Sequence, residues 1–224
     1  MSEHLLFTLA IVGGTGPEGT GLGMRWAKAG YRVIIGSRSG EKAEAHASLL
    51  SARLGEAGLI HGVENLEAAR QADLVVLTVP YAGHRRTLEA IAPMLKGKIL
   101  LDVTVPLDPS DVTRVRMPPA GSAAQEAREV LGSEVRVVSA FHNVAQAQLE
   151  DPDSPLACDV LVCGDDGAAK TQVMELVEAA GARGWDAGPL DNSAVPEGLT
   201  SILIGINKRF KVRSSAIQVV GVPR

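Results

Sequence analysis

One stretch limits what this chain can fold into more than any other: Ala10-Ile11-Val12-Gly13-Gly14-Thr15-Gly16-Pro17-Glu18-Gly19. An apolar run, Leu6–Val12, leads into Gly14, Gly16 and Gly19 in the spacing GxGxxG, and a segment of helical period, Thr20–Ala29, follows. A strand that passes through such a loop straight into a helix opens a βαβ unit suited to a pyrophosphate. Gly14 is expected to make the tight turn, Gly16 to let backbone approach the phosphates, and Gly19 to let helix pack on strand. The N-terminal N–H groups of the helix and its positive dipole end would then face the phosphates. Thr15, Pro17 and Glu18 complete the loop, and a carboxylate at position 18 has to point outward to avoid repelling an anion.

The rest of the chain repeats the alternation. Apolar runs at Arg32–Ile35, Leu59–Gly62, Leu74–Val79, Ile99–Val103 and Val135–Ser139 read as strands. Helical periodicity at Glu41–Leu54, Leu66–Gln71, His84–Leu95 and Ser122–Leu131 separates them. Continuous apolar strands alternating with helices imply a parallel sheet covered on both faces. The fold class is therefore α/β, a Rossmann-type doubly wound parallel sheet. Proline and glycine break the rhythm over Pro106–Gly121, which reads as a long loop, and again over Asp151–Pro155. Strand, helix, strand and helix follow at Val160–Cys163, Ala168–Ala180, Gly184–Ala187 and Glu197–Asn207. This divides the 224 residues into a nucleotide-binding domain, 1–148, and a small C-terminal α/β lobe, 149–224. Net charge of −4 offers no general attraction for nucleic acid or an anionic membrane, and no run reaches the length of a membrane span. The two cysteines, Cys158 and Cys163, are too few for a disulfide scaffold and suit a reduced cytoplasm.

The end of the second strand distinguishes between dinucleotides. An acid there would bond the ribose hydroxyls of NAD. This chain has Gly36-Ser37-Arg38 instead, with Lys42 one turn into the next helix. A hydroxyl, a planar guanidinium and an ammonium suit a 2′-phosphate, so NADP(H) is the expected cofactor. No metal-ligand spacing and no GxSxG nucleophile appear. His84, His142 and Lys208 are the candidate proton carriers, and none sits in a catalytic motif. Hydride transfer between two cofactor rings needs no protein acid or base in the hydride step.

Taken together, these residues resemble the NADPH-dependent coenzyme F420 reductases along nearly the whole chain. The resemblance rests on Gly13-Gly14-Thr15-Gly16, Gly36-Ser37-Arg38 with Lys42, Leu77-Thr78-Val79-Pro80 and Ser139-Ala140-Phe141-His142. Val162-Cys163-Gly164-Asp165-Asp166 and Asp186-Ala187-Gly188-Pro189-Leu190 extend it. It implies hydride exchange between the nicotinamide C4 and the C5 of an 8-hydroxy-5-deazaflavin, with small-molecule cofactors and a homodimer. It assigns Thr15, Ser37, Arg38 and Lys42 to NADP, and places Pro80, Val105 and Pro106 at loops near the nicotinamide. It assigns the segment His142-Asn143-Val144 and that around Leu199-Thr200 to coenzyme F420. Val144 stands where isoleucine can occur and Gly198 where serine can occur.

His84 is expected to touch the nucleotide through Tyr81-Ala82-Gly83. His142 is the candidate catalytic residue, polarising a ring carbonyl of the deazaflavin; in the alternative it caps a helix or satisfies a buried carbonyl. Two other functions stay open at this point: an NADPH-dependent reductase of a small keto acid or imine, and a non-enzymatic NADP-sensing module. The basic run Lys208-Arg209-Phe210-Lys211-Val212-Arg213 is either a solvated helix end or a surface that draws in an anionic ligand.

Overall fold

The computed structural model describes residues 7–55 and 59–222. Leu6, the expected start of the first strand, lies outside them. Eight strands form one sheet: β1 (Thr8–Val12), β2 (Arg32–Ser37), β3 (Ile60–Glu64), β4 (Leu74–Leu77), β5 (Ile99–Asp102), β6 (Arg136–Ser139), β7 (Asp159–Gly164) and β8 (Arg183–Asp186). Their order is β3-β2-β1-β4-β5-β6-β7-β8. The first six are parallel. The order reverses between β1 and β4, and ligands of open α/β sheets bind at such a switch point, outside the carboxyl ends of the strands.

The helices are α1 (Pro17–Lys28), α2 (Gly40–Leu54), α3 (Asn65–Gln71), α4 (His84–Ile91), α5 (Ala123–Leu131), α6 (Gln146–Leu149), α7 (Gly167–Ala179) and α8 (Ala194–Phe210). Alternation along the strands sends side chains to two cores. Leu9, Ile11, Val33, Ile35 and Val76 enter one, with Trp26 of α1 and Val173 of α7. Ala10, Val12, Ile34, Val75 and Leu77 enter the other, with Leu88 and Ile91 of α4. This is the two-faced burial that continuous apolar strands require.

Several elements differ from the sequence expectations, among them α6, which had no counterpart, and α8, which starts at Ala194 rather than Glu197. Pro17 is accepted at the first turn, so α1 begins three residues early. Pro93 ends α4 in a 3-10 turn, Ala92–Met94. Pro80 leads into another 3-10 turn, Tyr81–Gly83, before α4. Past residue 148 the chain rejoins the same sheet: β7 pairs antiparallel with β6 at Val138↔Gly164 and Ser139↔Cys163, and β8 adds in parallel to β7. Both cysteines are buried free thiols.

Candidate active-site cleft

The phosphate loop has the geometry its spacing implies. The Gly14 N–H donates to Ile11 O (3.1 Å) and Gly36 O (3.0 Å), closing the turn and tying it to β2. Gly13 adopts φ 78°, which glycine tolerates and other residues rarely do. No side chain caps α1, whose start at Gly16, Pro17 and Glu18 opens into a cleft of about 1410 Å³. Gly14 and Gly19 are buried under the loop, so their part is structural. Glu18 does not point away as expected: it lines the cleft, and burial pushes its carboxyl up to about 8. A carboxyl that stays protonated at neutral pH removes the expected conflict with phosphate.

At the end of β2, Ser37 is buried while Arg38 and Lys42 are exposed, and all three line the cleft. The Ser39 hydroxyl accepts the Lys42 N–H (3.3 Å) and caps α2, which fixes where Lys42 stands. Among the described residues no ion pair involves Arg38 or Lys42, so their charge is available to an anion.

The loops after β4 and β5 form the next wall. Thr15, Pro80 and Val105 line the cleft; Pro106 is buried beneath it. His84 requires a correction. Its side chain is fully buried and turned away from the cleft, with Nε2 2.7 Å from Asp102 Oδ2. Its Nδ1 lies 3.9 Å from Glu126 Oε1. Burial pulls its pKa down, but the Asp102 hydrogen bond and charge, with Glu126, take it net above the ordinary value. Asp102 mirrors it: burial raises its carboxyl, and His84 with the Thr104 N–H (3.0 Å) takes it net below the usual range. Glu126 also accepts from Tyr81 Oη (2.7 Å) and Arg85 Nε (3.2 Å). This cluster fastens Tyr81-Ala82-Gly83, which do line the cleft, to β5 and α5.

Opposite stands the side assigned above to the deazaflavin. His142, Val144 and Thr200 line the same cleft, and Leu199 beside them does not. The Thr200 hydroxyl donates to His142 O (2.6 Å), joining α8 to the segment after β6. Asn143 Nδ2 donates to Asp159 O (2.7 Å), tying that segment to β7. Phe141 is held at φ 69°, a strained position for a bulky residue, and packs edge-on against Trp26. The His142 ring is buried, and neither of its nitrogens has a hydrogen-bond partner. It caps none of the described helices, and the Asp102 backbone is the nearest polar group acting on the ring. Burial pulls its pKa down to about 4 against a smaller opposing effect of Asp102, so the ring is neutral at physiological pH. Gly198 lies behind the cleft wall, where a Cβ would come within 3.0 Å of Val115 Cγ1.

Several lining residues were not read from the sequence. Asn65, at the start of α3, accepts the Gly13 N–H (3.2 Å) and so holds the phosphate loop from the third strand. Arg86, Gln146, Ile204 and Asn207 line the cleft as well. A helix-initial Asn after a strand was the one visible signal; the others become neighbours only through tertiary folding.

A glycine loop at a switch point, with cations at the next strand tip, defines a Rossmann-type fold whose cleft suits NADP. The family model described as NADP oxidoreductase, coenzyme F420-dependent, matches residues 8–106. The chain is 42% identical over 221 residues to the F420-dependent NADP reductase of Methanocaldococcus jannaschii, covering 96% of this chain and 98% of that protein. It is 36% identical to the enzyme of that name from Methanothermobacter thermautotrophicus, covering 100% and 99%. A solved structure titled as a putative F420-dependent NADP reductase from Arthrobacter sp. FB24 superposes with TM-score 0.79 at 26% identity, covering 96% and 99%. The chain belongs to the F420-dependent NADP reductase family.

Proposed function

We propose that this protein transfers a hydride between NADP(H) and coenzyme F420. The observation that carries this reading is a single cleft running from Ser37, Arg38 and Lys42 to His142, Val144 and Thr200. At about 1410 Å³ it exceeds the roughly 300–1,000 Å³ that one small ligand needs, and so has room for two. The two cofactors supply the hydride donor and acceptor carbons. The residues bind, orient and exclude water: the start of α1 and the β2 tip would hold phosphates, and the neutral His142 and the Val144 side chain would face a ring. No side chain is required to move a proton in the hydride step. With C4-deuterated NADPH as donor, the label is expected at C5 of the reduced deazaflavin. Deuterium arriving there from solvent instead would overturn the reading.

The NADP preference follows from the β2 tip. A charge-assisted contact to phosphate contributes about 1.5–3 kcal/mol, or roughly 10–150-fold. Arg38→Ala is expected to raise the KM for NADPH by about that factor and to leave the KM for NADH nearly unchanged. Equal losses for both cofactors would remove Arg38 from the 2′-phosphate.

We also infer two functional regions, with 1–148 carrying NADP and 149–224 completing the deazaflavin side through α8. A homodimer accords with the apolar stripe of α8, where Val195, Ile202, Ile206 and Phe210 stand exposed at helical spacing. The partners are small molecules, and a net charge of −4 favours neither nucleic acid nor an anionic membrane. No helix among the described residues is long and apolar enough to cross a membrane, and a cytoplasmic setting accords with two unpaired thiols.

A further inference from the structure

The cleft has a basic residue on its lining that the proposed cofactor contacts do not include, Arg213. Of the four cations in the run 208–213, only Arg213 lines the cleft. Lys208, Arg209 and Lys211 are exposed elsewhere, with Lys208 acting on Asp111. The end of α8 explains the difference. Lys211 adopts the left-handed φ 55° and reverses the chain. The Val212 N–H then returns to Asn207 O (3.1 Å), and the Ser215 N–H donates to Asn207 Oδ1 (2.8 Å). Gln148 Nε2 reaches Ser214 O (3.4 Å), which draws the reversed segment toward α6. Arg213 is thereby left at the cleft rim with its guanidinium 3.7 Å from Glu150 Oε1. Asn207, whose Oδ1 accepts from Ser215, lines the same cleft.

The geometry points to this rim as an anion subsite for the phosphodiester side chain of the deazaflavin cosubstrate, with Glu150 as the internal anion that the substrate displaces. The inference rests on the hydride-exchange reading given above. An exposed pair at 3.7 Å holds only weakly and is screened by salt, so it opens at little cost. A phosphodiester offers the guanidinium two oxygens in the fork geometry that a distant single carboxylate oxygen does not. The other end of the cleft has its own cations, Arg38 and Lys42, for the nucleotide. The Arg213 rim would therefore distinguish deazaflavins by their tails and leave NADP(H) unaffected.

The test is direct binding, read by quenching of deazaflavin fluorescence, with coenzyme F420 and with the 8-hydroxy-5-deazaflavin that carries only the ribityl chain and lacks the phosphodiester tail. The protein is expected to bind coenzyme F420 more tightly than the ribityl compound, with the difference shrinking as salt rises. Arg213→Gln should weaken coenzyme F420 roughly three- to tenfold, the range of an exposed charge-assisted contact, and leave the ribityl compound and NADP+ unchanged. Glu150→Gln should act in the opposite direction and tighten coenzyme F420 alone, because it removes a competing and repelling charge. If Arg213→Gln binds coenzyme F420 as the unsubstituted protein does, or weakens both deazaflavins alike, the subsite is overturned. A protein that shows the Arg213-dependent preference but does not transfer hydride would support the subsite and overturn the hydride-exchange reading.

Discussion

Gly16→Val is expected to leave the protein folded and to abolish measurable NADP+ binding. Gly16 sits at φ −79°, ψ 164°, an extended conformation open to any residue. A Cβ built there meets only Gly13 O, at an ordinary 3.6 Å, so the folded chain has room for a side chain. The space it would fill is the cleft in front of α1, where the proposed reading puts the pyrophosphate against the Gly16 backbone. Displacing the phosphates from two or more N–H donors, at about 1.5–3 kcal/mol each, corresponds to a loss on the order of 10²-fold or greater. Gly19→Val should fail in the other way. A Cβ there lies 2.7 Å from Gly14 Cα and 2.8 Å from Thr78 Oγ1, so the loop or the helix must shift. Overpacking of that kind costs about 1–3 kcal/mol and lowers the melting temperature before any ligand is added. Calorimetric titration of NADP+ paired with a thermal melt separates the two outcomes. A Gly16→Val protein that keeps its affinity would move the dinucleotide away from this loop.

The contrast between the two glycines shows what a sequence carries on its face. The phosphate loop, the Ser37-Arg38-Lys42 tip and the parallel sheet were all legible, because each is written in consecutive residues or in a periodic pattern. What escaped depends on pairs far apart in the chain. His84 looked like a nucleotide contact by its place after Tyr81-Ala82-Gly83, yet Asp102 and Glu126, from β5 and α5, enclose it. Glu18 looked like a charge to be turned outward, yet it lines the cleft with its carboxyl pKa raised, which lessens the conflict with an anion. The separation of the basic run into one rim residue and three solvated ones follows from the backbone reversal at Lys211, a positive φ on a residue type that gives no warning of it. The α6 turn, four residues long, is too short to show a period.

Arg25 is the clearest case of a residue whose weight lies wholly in the tertiary structure, and its loss should be the most damaging to stability. It sits on α1 among residues of the first core, 4% exposed, in a position where a cation is rarely found. Nη1 donates to Ser154 O (3.0 Å) and Ala180 O (2.8 Å), and Nη2 to Gln148 O (2.7 Å) and Asp151 O (2.6 Å). One planar fork thus satisfies carbonyls at the ends of α6 and α7 and in the loop between α6 and β7. Burial pulls its pKa down while Asp151 opposes the shift. Arg25→Met keeps the length of the stem and removes every donor. The Ala180 carbonyl is left buried without that partner, and the 148–156 segment loses its anchor to α1. Leaving these carbonyls without the guanidinium costs about 1–3 kcal/mol for each that solvent does not reach, and at roughly 2–4 °C per kcal/mol for a chain of this size the melting temperature should fall by about 10 °C. Arg25→Lys should recover part of this, since an ammonium carries three donors but cannot span both sides of the fork. The functional consequence is one-sided. Gln146, Ala147 and Glu150 of the loosened segment line the cleft near the residues proposed for the deazaflavin, whereas the Gly14 turn is held by Ile11, Gly36 and Asn65. Below its melting point, Arg25→Met should therefore lose affinity for the deazaflavin before it loses affinity for NADP+. A melt within about 2 °C of the unsubstituted protein would show that solvent satisfies these carbonyls as well as the guanidinium does.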